Sequence, residues 1–311
     1  MVRLSKRMSE LNLCSRRQAD KLILQSQVIL NNQPVEPILG QKVNAHETNI
    51  QLLAPKIIGK DGKSTVDRGD TILLNKPKDF VSGQPDPRHG HVPAVRLLTR
   101  DNIHCDTVEL RGILSDGNYL HFGKRFHEGN EGISTLIKYA PAGRLDLDSS
   151  GLLLFTKNGV AAKHILTNMD KEYLVKVEPA QSLSRDELRK GMQRLPYPPI
   201  WDLSVLLKGG KRLWDDEKRL RPLLQAEWVE EGKNETGKWN GTGVIKMVLQ
   251  EGKKRQIRRM CRELLGLHVL ELERTRVGSV ELGDLPVGKW RPLTDAERLS
   301  LVPKSTSTTR T

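Results

Sequence analysis

The chain has 311 residues, 37% hydrophobic and 29% charged, which is enough for a substantial core and for two domains, or one with an appendage. No stretch approaches the roughly 20 consecutive apolar residues of a membrane helix, so a membrane span of that kind is excluded. Lys and Arg outnumber Asp and Glu by 51 to 38, and the net charge of +13 suits a polyanionic partner, because protein cations displace condensed counterions from phosphates.

Residues 1–54 read as a small helix–helix–strand module. Leu4, Met8 and Leu11 share one helical face, and the helix ends near Asn12. Ser15-Arg16-Arg17-Gln18 has the spacing of a capping box, in which Ser accepts from the new helix and Gln reaches back. Ala19, Leu22 and Ile23 supply that helix's buried face. Val28 and Leu30 then read as a strand closed by Asn31-Asn32, residues that tolerate turn geometry. Six basic and two acidic side chains fall in residues 1–21, a concentration that favours nucleic acid over a diffuse solubility effect. Such a basic, acid-poor start superficially resembles an organelle transit peptide. The apolar helical face argues for folded structure instead, and with no clear targeting signal a cytoplasmic location is favoured.

Residues 55–70, rich in Gly, Lys and Asp, are the linker candidate. A strand at Thr71–Asn75 opens the second domain, residues 71–302. Strands are also expected within 143–157, 172–178 and 242–250, and helices at 184–194 and 254–265. Strands and helices intermix without a regular βαβ period, so the predicted class is α+β, a mixed and largely antiparallel sheet with flanking helices. Two polar stretches, near 101–132 and 208–241, look like insertions, and 303–311 should be a disordered tail. Cys14, Cys105 and Cys261 have neither zinc-ligand spacing nor the even count of a disulfide framework, which favours a reducing compartment. His89-Gly90-His91 is the nearest approach to a metal clip, and no metal site is expected there.

Gly143-Arg144-Leu145-Asp146-Leu147-Asp148-Ser149-Ser150-Gly151-Leu152 is the most informative stretch. It sets a carboxylate in a polar loop, beside an arginine, at the entry to an apolar strand. Arg144 or another cation would keep Asp146 ionised as a nucleophile or base. An ordinary acidic turn is one alternative. A calcium loop is another, because Asp146, Asp148, Ser150 and Gly151 fit its opening positions, but Lys157 stands where the bidentate Glu is needed. Over 254–265, Ile257, Met260, Cys261, Leu264 and Leu265 cover one helical face, and Arg255, Arg258, Arg259 and Arg262 the other. Residues 253–276 carry eight basic and three acidic side chains, a second patch suited to phosphate.

GRLDLDSSGLLLFTKNG resembles the catalytic motif of the pseudouridine synthases of the RsuA and RluF group. Asn75-Lys76-Pro77-Lys78 is similar to that family's opening strand motif, and Lys171-Glu172-Tyr173-Leu174-Val175 to its tyrosine motif. Glu251 to Met260, Leu272 to Gly278 and Gly288 to Thr294 match the later motifs, the last two in wording closest to large-subunit, F-type members. Arg3-Leu4-Ser5-Lys6 and Ser15-Arg16-Arg17 resemble the RNA-binding domain named after ribosomal small-subunit protein four, although Ser26 and Asn32 stand where glycine is usual.

The resemblance implies an isomerase, an intramolecular transferase that needs no cofactor. Asp146 would attack the ribose of a uridine or take its proton, after which the base detaches, rotates and rejoins through carbon. Tyr173 would stack on the uracil and Arg258 would pair with Asp146, while Asp148 would be polar support in the loop. Base extrusion is required because both base edges are hidden in a stacked helix. RNA contacts are expected from Arg3, Lys6, Arg7, Arg16, Arg17, Lys76, Arg144, Arg255, Arg259 and Arg262. The implied partner is structured RNA bound by a monomer. Large-subunit ribosomal RNA is the first candidate, and a transfer RNA anticodon stem a further one. Two rival readings are a non-catalytic RNA-binding or ribosome-assembly protein, and a hydrolase using Asp146 with Asp148.

Overall fold

The computed structural model describes residues 1–11, 13, 16–52, 71–83, 90–105, 122–125, 133–136, 139–181, 195–196, 199–232 and 241–301. The linker at 55–70, the helix expected at 184–194, the tail at 303–311 and the capping serine Ser15 lie outside these residues.

The N-terminal module follows its apolar pattern. Helix α1 (Leu4–Glu10) and helix α2 (Arg16–Leu24) close over strand β1 (Val28–Leu30). Leu4, Met8, Ala19, Ile23, Val28, Val35, Val43 and Ile50 form its own buried cluster. The missing glycines are accommodated, because Ser26 and Asn32 adopt left-handed backbone angles (φ 55° and 62°). Such a conformation costs a non-glycine residue about 1–2 kcal/mol and is tolerated best by Asn.

The second body is built on one sheet. Strand β2 (Thr71–Lys76) is buried along its whole length, and β3 (Ser150–Thr156) is buried from Gly151 onward. Their alternation serves two faces. Ile72, Leu74, Leu153 and Phe155 pack with Leu98 and Trp290 on one side, and Leu73, Leu152 and Leu154 with Ile165 on the other. Each such side chain contributes roughly 1.5–3 kcal/mol by leaving water, which fixes the register of the sheet.

Helix α3 (Gly159–Thr167) returns the chain to β4 (Lys171–Pro179). Helix α4 (Ser204–Lys208), strands β5 (Gln225–Glu230) and β6 (Gly243–Leu249), helix α5 (Gln256–Met260), the long strand β7 (Leu267–Val277) and strand β8 (Trp290–Pro292) complete the frame. Among the described residues the strand order is β5-β6-β4-β7-β3-β2-β8. Neighbours run antiparallel except β3 and β7, which pair in parallel at Ser150–Glu273 and Gly151–Arg274.

The stretch 208–241 contains β5, which among the described residues is an edge strand of the main sheet; exposed polar residues on that edge hid its period. Within 101–132, Phe122–Arg125 pairs with Ile133–Leu136. The helix expected over 254–265 is present over 256–265 and changes pitch along its length. Its first part, α5, begins after Arg255 in a left-handed conformation (φ 51°) and passes at Cys261 into a wider π-type turn that ends at Gly266 (φ 69°). The predicted apolar face holds: Ile257, Met260, Cys261 and Leu265 are buried beneath it. Burial pushes the Cys261 thiol up to about 12, so it acts as a core residue.

Candidate active site

The loop before β3 is held through its backbone. Each carbonyl from 144 to 149 accepts a hydrogen bond. Arg144 receives one from Arg274 Nη1 (3.5 Å), Leu145 from the Ser82 hydroxyl (2.8 Å) and Asp146 from Ser149 N (3.1 Å). Leu147 receives one from Asp79 N (2.8 Å), Asp148 from Arg258 Nη2 (2.8 Å) and Ser149 from Lys76 Nζ (2.7 Å). Ser82 Oγ also accepts from Leu145 N at 2.9 Å, so one buried hydroxyl satisfies both peptide groups of the residue before Asp146. A loop whose carbonyls from 144 to 149 are all paired has little freedom to wander, and that is what positions a reactive side chain.

Asp146 stands on a wall shared by two concavities. The first, about 450 Å³, is lined by Arg144, Leu145, Asp146, Ser149, Tyr173, Leu249, Leu272 and the 251–257 segment. That size is within the range of small-ligand sites, and it combines apolar walls with a few polar groups. The second, about 650 Å³, lies on the other side of Arg144, Leu145 and Asp146, against Ser82, His91 and Leu166. His89 lies outside the described residues. Strand β4 brings Tyr173 to the first cavity at a register shift opposite Arg274, where its ring packs against two of the buried clusters.

The sequence-predicted residues divide clearly. Asp146, Tyr173, Arg144 and Arg255 meet at the first cavity. Arg258 does not take its expected partner. Its Nε lies 3.3 Å from Asp148 Oδ2, Nη2 bonds the Asp148 carbonyl, and Nη1 donates to the Val269 carbonyl at 2.9 Å. The reason is local, since Asp148 sits at the turn that abuts α5 whereas Asp146 faces the cavity. Arg255 Nη2 joins Asp148 Oδ2 at 2.8 Å. Burial works against ionisation of Asp148, but the Arg255 hydrogen bond and the charges of Arg258 and Arg255 outweigh it and hold the carboxyl below its usual value. Burial pulls the Arg258 guanidinium below its ordinary value, opposed by the Asp148 charge.

Of the two roles open to Lys76, structural or phosphate-contacting, the structure shows the structural one, a buried strut. It is fully buried, and Nζ donates to the Pro77 and Ser149 carbonyls, each at 2.7 Å, out of reach of a polyanion. Burial draws its ammonium down to about 8. Arg259 is likewise engaged inside the protein, 3.2 Å from Asp216 and 3.3 Å from Glu263. In the N-terminal module Arg3, Lys6 and Arg16 are exposed, and Arg7 is turned to the Glu47 carbonyl at 2.6 Å. The Arg17 side chain lies outside the described residues.

Two residues that build the site escaped the sequence reading. Ser82 carries no sequence signal, because its partner is 63 residues away. Arg274 does carry one: it sits two residues after Leu272 on the buried side of β7, and a charge on an apolar strand face needs a reason. The guanidinium, 3% exposed, spans from the Leu152 carbonyl at 2.8 Å to that of Arg144.

The chain that builds this site is similar to known proteins. The family model described as RNA pseudouridylate synthase matches residues 70–263, and the S4 domain model matches residues 2–44. The dual-specificity RNA pseudouridine synthase RluF of Shigella flexneri is 31% identical over 306 residues, covering 96% of this chain and 78% of that protein. The Escherichia coli strain K12 protein of the same name is 30% identical over the same span, and an uncharacterized RNA pseudouridine synthase of Aquifex aeolicus is 27% identical over 309 residues, covering 96% of this chain and 93% of that one. A crystal structure of a pseudouridylate synthase shares the fold, with a TM-score of 0.50 at 21% identity over 97% of this chain and 100% of that chain. The chain belongs to the RNA pseudouridylate synthase family. Within it, the chain is of the RsuA/RluF type, an isomerase that converts uridine to pseudouridine in RNA, with an S4 domain at its N-terminus.

Proposed function

We propose that this enzyme modifies a uridine in large-subunit ribosomal RNA, acting as a monomer with Asp146 as its catalytic carboxylate. The dual-specificity label of the RluF relatives supports a second RNA substrate, for which a transfer RNA stem is the candidate. The reaction conserves atoms. The bond from the ribose anomeric carbon to N1 breaks, one from that carbon to C5 forms, and the C5 proton is lost as N1 gains one. Asp146 attacks the ribose or takes its proton, Tyr173 stacks on the released uracil, and Arg258 acts on Asp146 indirectly by fixing the loop at Asp148. The observation that carries this reading is the pinned loop: Asp146 borders the 450 Å³ cavity while the backbone on both sides of it is bonded.

The RNA body would be gripped by Arg144 and Arg255 at the cavity and by Arg3, Lys6 and Arg16 of residues 1–54, with 71–302 as the catalytic domain. The test is Asp146→Asn against total RNA, with pseudouridine mapped by chemistry. The amide is isosteric but can serve neither as nucleophile nor as base, so turnover should vanish while RNA binding persists. Full turnover in this variant would refute the assignment.

A further inference from the structure

We propose that Trp214, carried on the loop 209–224 between α4 and β5, is a stacking platform for an unpaired base of the same RNA, beside the target nucleotide. This rests on the target uridine entering the Asp146 cavity. A third cavity, of about 350 Å³, lies on the other side of Arg255 from the Asp146 cavity, lined by Trp214, Arg255, Arg258, Arg259, Glu263 and His268. Arg255 borders both cavities, so a strand leaving the first meets the indole next.

The loop is built to present that ring. Leu213, Leu220 and Leu223 are buried in the main cluster, whereas Trp214, next to the first of them, is 37% exposed. Leu220 N donates to the Lys211 carbonyl at 2.7 Å and Gly210 N to the Leu220 carbonyl at 2.9 Å, closing the loop on itself. Gly209 (φ 61°) permits the entry turn, because a β-carbon there would lie 2.5 Å from Pro222 N. The Trp214 backbone is clamped to the α5 segment on both sides. Its N donates to the Glu263 carboxylate at 2.6 Å, and its carbonyl accepts from Arg259, which is itself anchored by Asp216. The platform is therefore ordered before a ligand arrives, and its ordering entropy is not charged against binding.

The surroundings select the ligand. Lys211, Arg212, Lys218, Arg219 and Arg221 are exposed on this loop, against exposed Asp215 and Glu217, while Asp216 is paired with Arg259 and Lys253. An aromatic ring on a loop with this basic excess suits single-stranded nucleic acid, whose bases stack while its phosphates meet the charges. The core of a protein interface is instead depleted of charge.

The full-length protein is titrated with octauridylate and, as a base-free polyanion, with inorganic polyphosphate of matched charge. Trp214→Ala should weaken octauridylate binding about tenfold, the scale of losing one stacked base. Polyphosphate binding should be unchanged, and Trp214→Phe should recover most of the loss. Salt dependence should keep its slope in Trp214→Ala and flatten in Lys211→Gln. Equal octauridylate affinity in Trp214→Ala and wild type would overturn the proposal, as would an equal loss toward polyphosphate. The same tenfold loss is expected in an Asp146→Asn background, so failure of the catalytic assignment and failure of the platform are read separately.

Discussion

Arg258 grips Asp148 twice, through the carbonyl at 2.8 Å from Nη2 and through the carboxylate at 3.3 Å from Nε. The arginine therefore bears on the cavity through the loop that carries Asp146. Arg258→Met should lower the single-turnover rate at saturating RNA on the order of 100-fold, the scale of a small misplacement of reacting groups. Arg258→Lys should retain part of the rate, because charge survives while the fork that spans both Asp148 groups is lost. A change in affinity alone would return Arg258 to the phosphate-binding stripe.

Asp148 gives the same contact a pH signature. Its folded-state pKa is depressed, so its stabilising contribution is present above the unfolded value of about 3.9 and is lost as pH falls through the lower folded value. Asp148→Asn should retain measurable turnover at neutral pH and lose less stability than wild type on acidification below about pH 5. Urea midpoints across that range check this, and parallel curves would deny the ion pair a role in acid stability.

Lys76 shifts stability in the same direction, in a higher pH window. Its ammonium is drawn down to about 8, so between there and the unfolded value near 10.4 the folded state binds fewer protons than the unfolded one. Stability from this group therefore rises with pH across that window, and buried Lys171, also drawn down to about 8, adds to the rise. Lys76→Met should flatten the increase, slow turnover by freeing the Ser149 carbonyl, and leave RNA affinity within about twofold, inside the range of a residue without phosphate contact. A large loss of affinity with an unchanged rate would restore the surface role.

Gly151 sits where β3 and β7 run in parallel. Its φ is 99°, and a β-carbon there would overlap the Arg274 carbonyl oxygen and lie 2.8 Å from Arg274 N. Gly151→Ala should cost about 3 kcal/mol or more, since backbone rather than a flexible side chain must move. At Gly252 no heavy atom lies within 4 Å of that position, and Gly252→Ala should stay within about 0.5 kcal/mol. Chemical denaturation of the two variants makes the comparison.

Removing residues 1–50 should weaken RNA binding more than it slows the chemical step of bound RNA, since this module carries exposed Arg3, Lys6 and Arg16 away from the Asp146 cavity. Filter binding and single-turnover assays separate the two effects. An unchanged dissociation constant at moderate salt, with the shortened chain still folded, would count against docking by the module.

The α+β class, the strands at 71–76 and 150–156, the apolar face of 257–265 and the grouping of Asp146 with Tyr173 were legible in the sequence. Periodicity reports which side of an element is buried, and ordered motifs report the enzyme family. Strand β5 was not legible, because an edge strand with exposed polar residues lacks a clean two-residue period. Tertiary structure alone decided which carboxylate Arg258 meets. Asp146 and Asp148 are two residues apart, and the arginine arrives from an element 110 residues further along. It also buried Lys76 beneath the loop and set Ser82 against Leu145. Local sequence cannot specify such contacts, because they depend on where separate elements cross once the sheet has fixed its register.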